Sequence, residues 1–195
     1  MSWIEFAQKN QTLMLDCLVR HIELVCFSVA AGMIISIPLG IFLSRYRKLA
    51  NPVLSLAGLI QTIPGLVMLG IALVFLGIGM FPALVVLTLY ALLPILRNTY
   101  TGITEVDKSL IEAARGIGMT GAQILFKVEL PLALSSIISG IRISTVYIVS
   151  WATLAGLNGA GDWETLSGPA LQPIIPLIFW REPFPPLLWP LFSAA

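Results

Sequence analysis

The chain has very little charge for its length. Only 11% of its 195 residues are Asp, Glu, Lys or Arg, whereas 57% are hydrophobic. Soluble domains carry roughly 25% charged residues. Together with a mean hydropathy of +0.93, this excludes a stand-alone soluble enzyme and predicts an all-α membrane protein. A helical crossing needs about 20 apolar residues, so there is room for about five spans.

Cysteine and histidine are also scarce. Cys17 and Cys26 have no second pair and fit neither a zinc site nor a disulfide framework, and His21 is the single histidine. We therefore expect no metal site and no cofactor. The Lys and Arg residues are scattered between apolar runs, which argues against a nucleic-acid partner. Residues 1–16 lack the order of a signal peptide, so we expect the first span to be retained.

Four apolar runs are clear candidates for membrane spans. They cover residues 21–43, 52–76, 81–96 and 130–157. Cytoplasmic loops collect Lys and Arg, and basic residues here follow the first run and occupy the loop at 97–127. The sequence therefore predicts that this loop is cytoplasmic and that the N-terminus lies outside.

The second run is interrupted at residues 61–65, which read Gln-Thr-Ile-Pro-Gly. A proline removes a backbone donor, and membrane helices tolerate this where a neighbouring helix or a water-lined cavity supplies a partner. The interruption indicates either a translocation path or an ordinary kink. Aromatic rings in the fourth run either stack on a passing cation or simply pack. The candidate path residues are Gln61, Thr62, Pro64, Tyr147 and Trp151.

Arg142 lies inside the fourth run. An ionisable residue within a membrane is a functional hypothesis by default. Its place near the predicted cytoplasmic end favours a simpler interpretation, in which it snorkels or pairs with Glu129 or a lipid phosphate.

The polar loop at about 104–131 is predicted to form two short helices separated by glycines. Ser109 and Glu112 have the spacing of a capping box, with Asp107 as a rival cap, and Thr120 and Gln123 repeat the pattern. An apolar stripe recurs at helical spacing in the first helix, formed by Leu110, Ile111, Ala114 and Ile117. Such a stripe cannot be buried by the short helix alone, so we expect a protein groove to cover it.

The same loop resembles the EAA loop of binding-protein-dependent ABC importer permeases. The matching residues are Glu112, Ala113, Ala114, Gly118, Leu130 and Pro131; Val128 stands where the family often has Ile. The resemblance implies a helical-bundle permease in a bacterial inner membrane, and it assigns these residues to ATPase coupling. It also implies three protein partners: a cytoplasmic ATPase, an external binding protein and a second permease subunit.

Residues 59–64, 92–102 and 110–119 resemble the subgroup that imports glycine betaine, carnitine, choline or proline betaine. No phosphate-cradling G-x-x-x-x-G-K-[ST] loop is present, so we expect no catalytic residues and ATP hydrolysis in another chain. Two alternatives stay open. One is a secondary transporter or channel, for which acidic residues deep within spans would be expected; the other is a non-functional fragment.

The resemblance stops after Gly161. The family continues with a Gly-Leu-Gly-Asp-rich turn and a fifth span, whereas Asp-Trp-Glu-Thr-Leu follows here at 162–166. Deletion of one base from a DNA sequence that encodes Gly-Leu-Gly-Asp-Leu gives codons for this Asp-Trp-Glu-Thr-Leu sequence. We therefore predict a permease domain at 1–161 and an out-of-frame tail at 162–195. The alternative is a proline-broken interfacial segment with Trp180 and Trp189 at the headgroups.

Overall fold

The computed structural model describes residues 11–155, which form helices joined by short turns. The predicted tail and its doubtful fifth span lie outside the described residues. The described elements are α1 (Gln11–Arg45), α2 (Arg47–Thr62), α3 (Gly65–Leu76), α4 (Met80–Thr104), α5 (Lys108–Gly116), α6 (Gly121–Ile124), a π-helical turn (Leu125–Glu129) and α7 (Leu130–Ala155).

The predicted all-helical membrane fold is confirmed. Three helices in the described range are long and apolar enough to cross a membrane: α1, α4, and the continuous helix Gly121–Ala155. Helices α2 and α3 qualify together as a pair bent by 91°, which gives up to four spans. Helices α1 and α4 are longer than the apolar runs predicted at 21–43 and 81–96, because both helices continue into polar residues beyond those runs.

Helices α1 and α4 run parallel and in close contact. A Cβ added to Gly32 would lie 2.9 Å from the Ala91 Cβ, and one added to Gly40 would lie 2.8 Å from the Thr99 Cβ. Equal steps along both helices therefore keep them in register. Small residues allow membrane helices to approach this closely.

Helix α7 packs against α4 in the opposite direction. A Cβ added to Gly102 would lie 2.7 Å from the Ser136 Cβ, and one added to Gly140 would lie 2.7 Å from the Asn98 Cβ. Residue numbers on α7 increase as those of their contact partners on α4 decrease, so the two helices are antiparallel. Helix α4 is the centre of the bundle, since α1, α2, α3 and α7 all pack on it.

Candidate functional sites

The loop before the last span folds as two short helices, as predicted, but its first cap differs. The Asp107 side chain accepts a hydrogen bond from the Ser109 backbone N–H at 2.9 Å. This bond, together with one from the Ser109 side chain, lowers the pKa of Asp107. The predicted Ser109–Glu112 capping box is wrong, because Ser109 lies within α5; the rival cap Asp107 is confirmed.

Gly118 ends α5 in a way that requires glycine. Its φ is +84°, a region that L side chains seldom adopt. The Gly118 N–H donates to the Arg115 carbonyl at 2.9 Å, and the Met119 N–H donates to the Ala114 carbonyl at 3.1 Å. These two bonds form a Schellman motif, which satisfies the last carbonyls of a helix. The motif glycine is therefore explained by helix termination.

Helix α6 begins with the second predicted capping box. The Thr120 Oγ1 accepts from the Gln123 N–H at 3.4 Å, and the Gln123 Oε1 accepts from the Thr120 N–H at 2.8 Å. This prediction is confirmed.

The sequence had indicated that the second short helix ends before the fourth span. In the structure, α6 does not end there. It continues through the π-helical turn, where the Leu130 N–H donates to the Leu125 carbonyl, into α7. Pro131 follows at once and lacks the donor that would continue an ordinary helix. A local π adjustment is one way in which membrane helices accommodate a proline.

The predicted coupling residues are divided between two places. Glu112 and Ala113 are exposed on α5, whereas Ala114 is only 5% exposed. Leu130 and Pro131 instead open α7, where Leu130 packs against the cluster around Ile103. The motif residues thus mark both ends of one folded unit, with α5 at one end and the start of the last span at the other.

The apolar stripe of α5 is partly buried by the chain itself. Ala114 is buried and Ile111 is half-buried, because α5 packs on α6 and the π-helical turn. Leu110 and Ile117 are 47% and 75% exposed. The expectation that the whole stripe needs an external cover is therefore wrong for Ala114. Two large apolar side chains remain uncovered.

Glu129 forms an ion pair that the sequence did not predict. This last residue of the π-helical turn is 3% exposed, and its two carboxylate oxygens accept from both terminal nitrogens of Arg45, at the end of α1. The alternative in which Arg142 pairs with Glu129 is wrong. Arg142 lies on α7 about 20 Å from Glu129 along the helix axis and is exposed. Arg45 precedes Glu129 by 84 positions, so no local spacing could reveal the pair.

The break between α2 and α3 is tied to the middle of α4. Pro94 has no N–H to donate to the Tyr90 carbonyl, and the Gln61 Nε2 donates to that carbonyl instead at 2.9 Å. In return, the Tyr90 hydroxyl donates to the Ile63 carbonyl, directly before Pro64. Each interruption thus finds its replacement partner on the other helix, as required within a membrane.

Trp151 of α7 closes this cluster from the other side. Its ring lies against Gly65 so closely that any added Cβ would overlap it. The ring centroids of Trp151 and Tyr90 are 5.7 Å apart at an interplanar angle of 44°. The structure therefore brings Gln61, Pro64 and Trp151 to one place around Tyr90.

The other two predicted path residues are not in this cluster. The Thr62 hydroxyl donates to the Leu59 carbonyl of its own helix, and Tyr147 is exposed one turn from Trp151. Gly65 belongs to the interruption predicted at 61–65, whereas sequence reasoning missed Tyr90. The available signal for Tyr90 was its position four residues before Pro94.

A cleft of about 280 Å³ lies between α2 and α4. Its lining is Asn51, Leu54, Ser55 and Gly58 on α2 with Leu93 and Arg97 on α4. The α2 residues share one helix face, and the same spacing reaches Gln61 and Thr62. Polar residues therefore recur along this face of α2 from Asn51 to the break, interrupted by Leu54 and Gly58. The sequence had indicated only the last two of them, Gln61 and Thr62.

A multi-span helical bundle with a broken span, and with a short, doubly capped helix before the last span of the described residues, is the architecture of a membrane-transport permease. The chain belongs to the family described as binding-protein-dependent transport system inner membrane component, which it matches over residues 32–189. It is a multi-pass inner-membrane protein and a permease component of an importer. The predicted family is confirmed.

Several relatives have named transport roles. The chain is 44% identical over 173 residues to the choline transport system permease protein OpuBB of Bacillus subtilis (strain 168), covering 87% of this chain and 80% of that protein. It is 44% identical over 158 residues to the carnitine transport permease protein OpuCB of Listeria monocytogenes, covering 81% and 72%.

Solved structures agree with this assignment. One inward-facing structure of the MetNI methionine ABC transporter shares 27% identity at a TM-score of 0.69, covering 83% of this chain and 79% of that one. A second gives 25% identity and a TM-score of 0.70, with 91% of each chain covered.

Proposed function

We propose that this permease serves an ATP-driven importer of quaternary-ammonium compatible solutes, such as glycine betaine, carnitine and choline. The observation that carries the proposal is α5, a helix fixed at both ends that keeps Leu110 and Ile117 exposed. The solute class is supported by the relatives, one of which is named a glycine betaine/carnitine/choline transport system permease protein.

The proposed ATPase partner is a separate cytoplasmic chain that receives α5 in an apolar groove. A rigid amphipathic helix is suited to such helix-in-groove recognition. Glu112 and Ala113 would face the groove, Ala114 would hold α5 against the rest of the permease, and Gly118 would fix the end of α5. Leu130 and Pro131 would connect a movement of the docked α5 to α7. The permease itself would hydrolyse nothing.

The proposed orientation places the α5 loop in the cytoplasm and the N-terminus outside. Because α1 and α4 run parallel, the basic residues at the end of α1 and those of the α5 loop share one side of the bundle. The positive-inside rule places such a side in the cytoplasm. An external binding protein would then deliver solute on the opposite side, and a second permease subunit and membrane lipid would cover the remaining apolar faces.

The proposed path runs past the cluster of Gln61, Pro64, Tyr90 and Trp151 and along the α2 face that lines the cleft. The cleft beside Arg97 extends this route toward the end of α4. Polar side chains on a membrane helix generally face protein or a water-filled cavity rather than lipid, which supports this face as a lining. Tyr147 and Thr62 would border it.

Cysteine crosslinking tests the docking of α5. In a background lacking Cys17 and Cys26, an Ala113→Cys variant should crosslink to the ATPase in native membranes, because this position is exposed. Ala114→Cys is the matched control. Ala114 is the next residue along α5 but is buried within the chain, so this variant should give little crosslinked product. Absence of any ATPase adduct from Ala113→Cys would contradict the proposal.

Uptake separates the importer from the transporter that needs no ATPase. Cells carrying this permease with its ATPase and binding protein should accumulate labelled choline or glycine betaine only while the ATPase is active. Accumulation that continues with an inactive ATPase would favour a secondary transporter or channel.

A further inference from the structure

We propose that the Arg45–Glu129 ion pair is a positioning contact that carries movement of α5 to the α1–α2 corner during transport. The inference rests on the proposed docking of α5 to an ATPase. Arg45 lies outside the EAA resemblance, and Glu129 is not one of the residues that carry it, so the inference gives both residues a defined part in energy coupling.

The pair is built to hold two elements together. Glu129 is 3% exposed, and a buried carboxylate without a partner is strongly unfavourable. Arg45 supplies both terminal guanidinium nitrogens, a bidentate arrangement that fixes orientation as well as distance. Its side chain remains 43% exposed, so the contact lies at the edge of the bundle.

The pair also lies between α5 and the helices that a movement of α5 would displace. Helix α5 packs chiefly on α6 and the π-helical turn, whereas α1 packs on α4 and α7. A displacement of α5 can therefore reach the bundle through the π-helical turn, whose last residue is Glu129, besides through the link to α4 at 105–107. Arg45 ends α1, and α2 begins two residues later at Arg47. Helix α2 in turn leads to the break beside Gln61.

Two features allow relative movement at this place. π-Helical turns are rare and recur at functional sites, and this one ends at Glu129. A cavity of about 260 Å³ separates α5 from the ends of α1 and α4. The charged side chains that line it are Arg45, Arg47, Lys108, Glu112, Arg115 and Glu129. Three further cations thus stand near the pair and can receive Glu129 when α5 moves.

The test measures solute transported per ATP hydrolysed in proteoliposomes that contain the full importer. Glu129→Gln and Arg45→Gln should each lower this ratio several-fold, while the ATPase still co-purifies with the permease. The charge-exchanged double variant, Arg45→Glu with Glu129→Arg, should recover much of the ratio. Arg142→Gln, which changes an exposed arginine of α7, is the matched control and should leave the ratio unchanged.

The outcomes distinguish coupling from simple stability. If the variants lose assembly and uptake in parallel while transport per ATP stays at the wild-type value, the pair is structural and the inference is overturned. Arg45→Lys covers the case in which the glutamine variants do not fold: it keeps the charge but not the bidentate contact, and an unchanged ratio would also overturn the inference. Failure of the wild-type importer to show ATP-driven uptake would instead reject the proposed function.

Discussion

Pro94 determines the role of a residue on another helix. By lacking an N–H, it leaves the Tyr90 carbonyl open, and Gln61 donates to that carbonyl across the interface. The Tyr90 hydroxyl then serves the Ile63 carbonyl before Pro64. At the scale of single residues, the broken span is held by two side chains that replace missing backbone bonds.

Gln61→Leu removes one of these replacements. The Tyr90 carbonyl would lose its donor within the bundle, and an unsatisfied buried polar group costs about 1–3 kcal/mol. We expect a lower midpoint in a thermal-unfolding assay of the purified permease. Thr62→Val is the neighbouring control, because the Thr62 hydroxyl bonds only within its own helix; an equal loss in both variants would contradict this role of Gln61.

Gly65→Ala tests the contact with Trp151. The added methyl group would overlap the Trp151 ring, and overpacking costs about 1–3 kcal/mol. We expect reduced stability and uptake, both partly restored when Trp151→Leu is combined with it. Gly70→Ala on the same helix meets open space and should be tolerated. If Gly65→Ala behaves like this control, Trp151 does not restrict the break.

At the scale of elements, α5 and α6 are defined by local chemistry. Asp107, Gly118 and the pair Thr120–Gln123 act within a few positions of each other, so the sequence predicted two short helices and the break between them. The choice between Asp107 and Ser109 was not decidable from spacing, since both residues are good caps. The structure decides for Asp107.

Gly118→Ala should weaken ATPase binding through the shape of α5. A side chain at φ +84° is strained by about 1–2 kcal/mol, which favours a different end for the helix. We expect several-fold less ATPase to co-purify. Gly116→Ala is the control, because Gly116 lies within α5 with open space around it and alanine is the better helix former. Equal retention of the ATPase by both variants would contradict a role for the left-handed turn.

Long-range contacts were beyond sequence reasoning. The apolar runs located the spans, because about 20 apolar residues report a crossing whatever they pack against. The partner of Glu129 is 84 positions away, and Arg142 was the nearest basic residue available in the last span. The cleft beside Arg97 likewise needs the packing of α2 on α4. Hydrophobicity defines spans, whereas pairings between them require the fold.

At the scale of the whole molecule, the parallel course of α1 and α4 predicts one basic side. A reporter fused near Lys108 and a second near Tyr46 should therefore show the same location, and the positive-inside rule makes it cytoplasmic. A reporter near Gly79, in the turn between α3 and α4, is the control and should be external. Opposite locations for the Lys108 and Tyr46 fusions would contradict the topology.

The proposed tail at 162–195 bears on whether the molecule has a fifth span. Six prolines follow residue 170 together with Arg181 and Glu182, a composition unsuited to a continuous apolar helix. The family match extends beyond Gly161 to residue 189, which favours a native tail, and the DNA sequence of the gene decides between the two. Restoring one base before codon 162 should yield a Gly-Leu-Gly-Asp-Leu turn, a smooth apolar run and higher uptake than the present frame. Independent sequencing that finds the frame intact, or uptake that falls on repair, would show that the proline-rich tail is native.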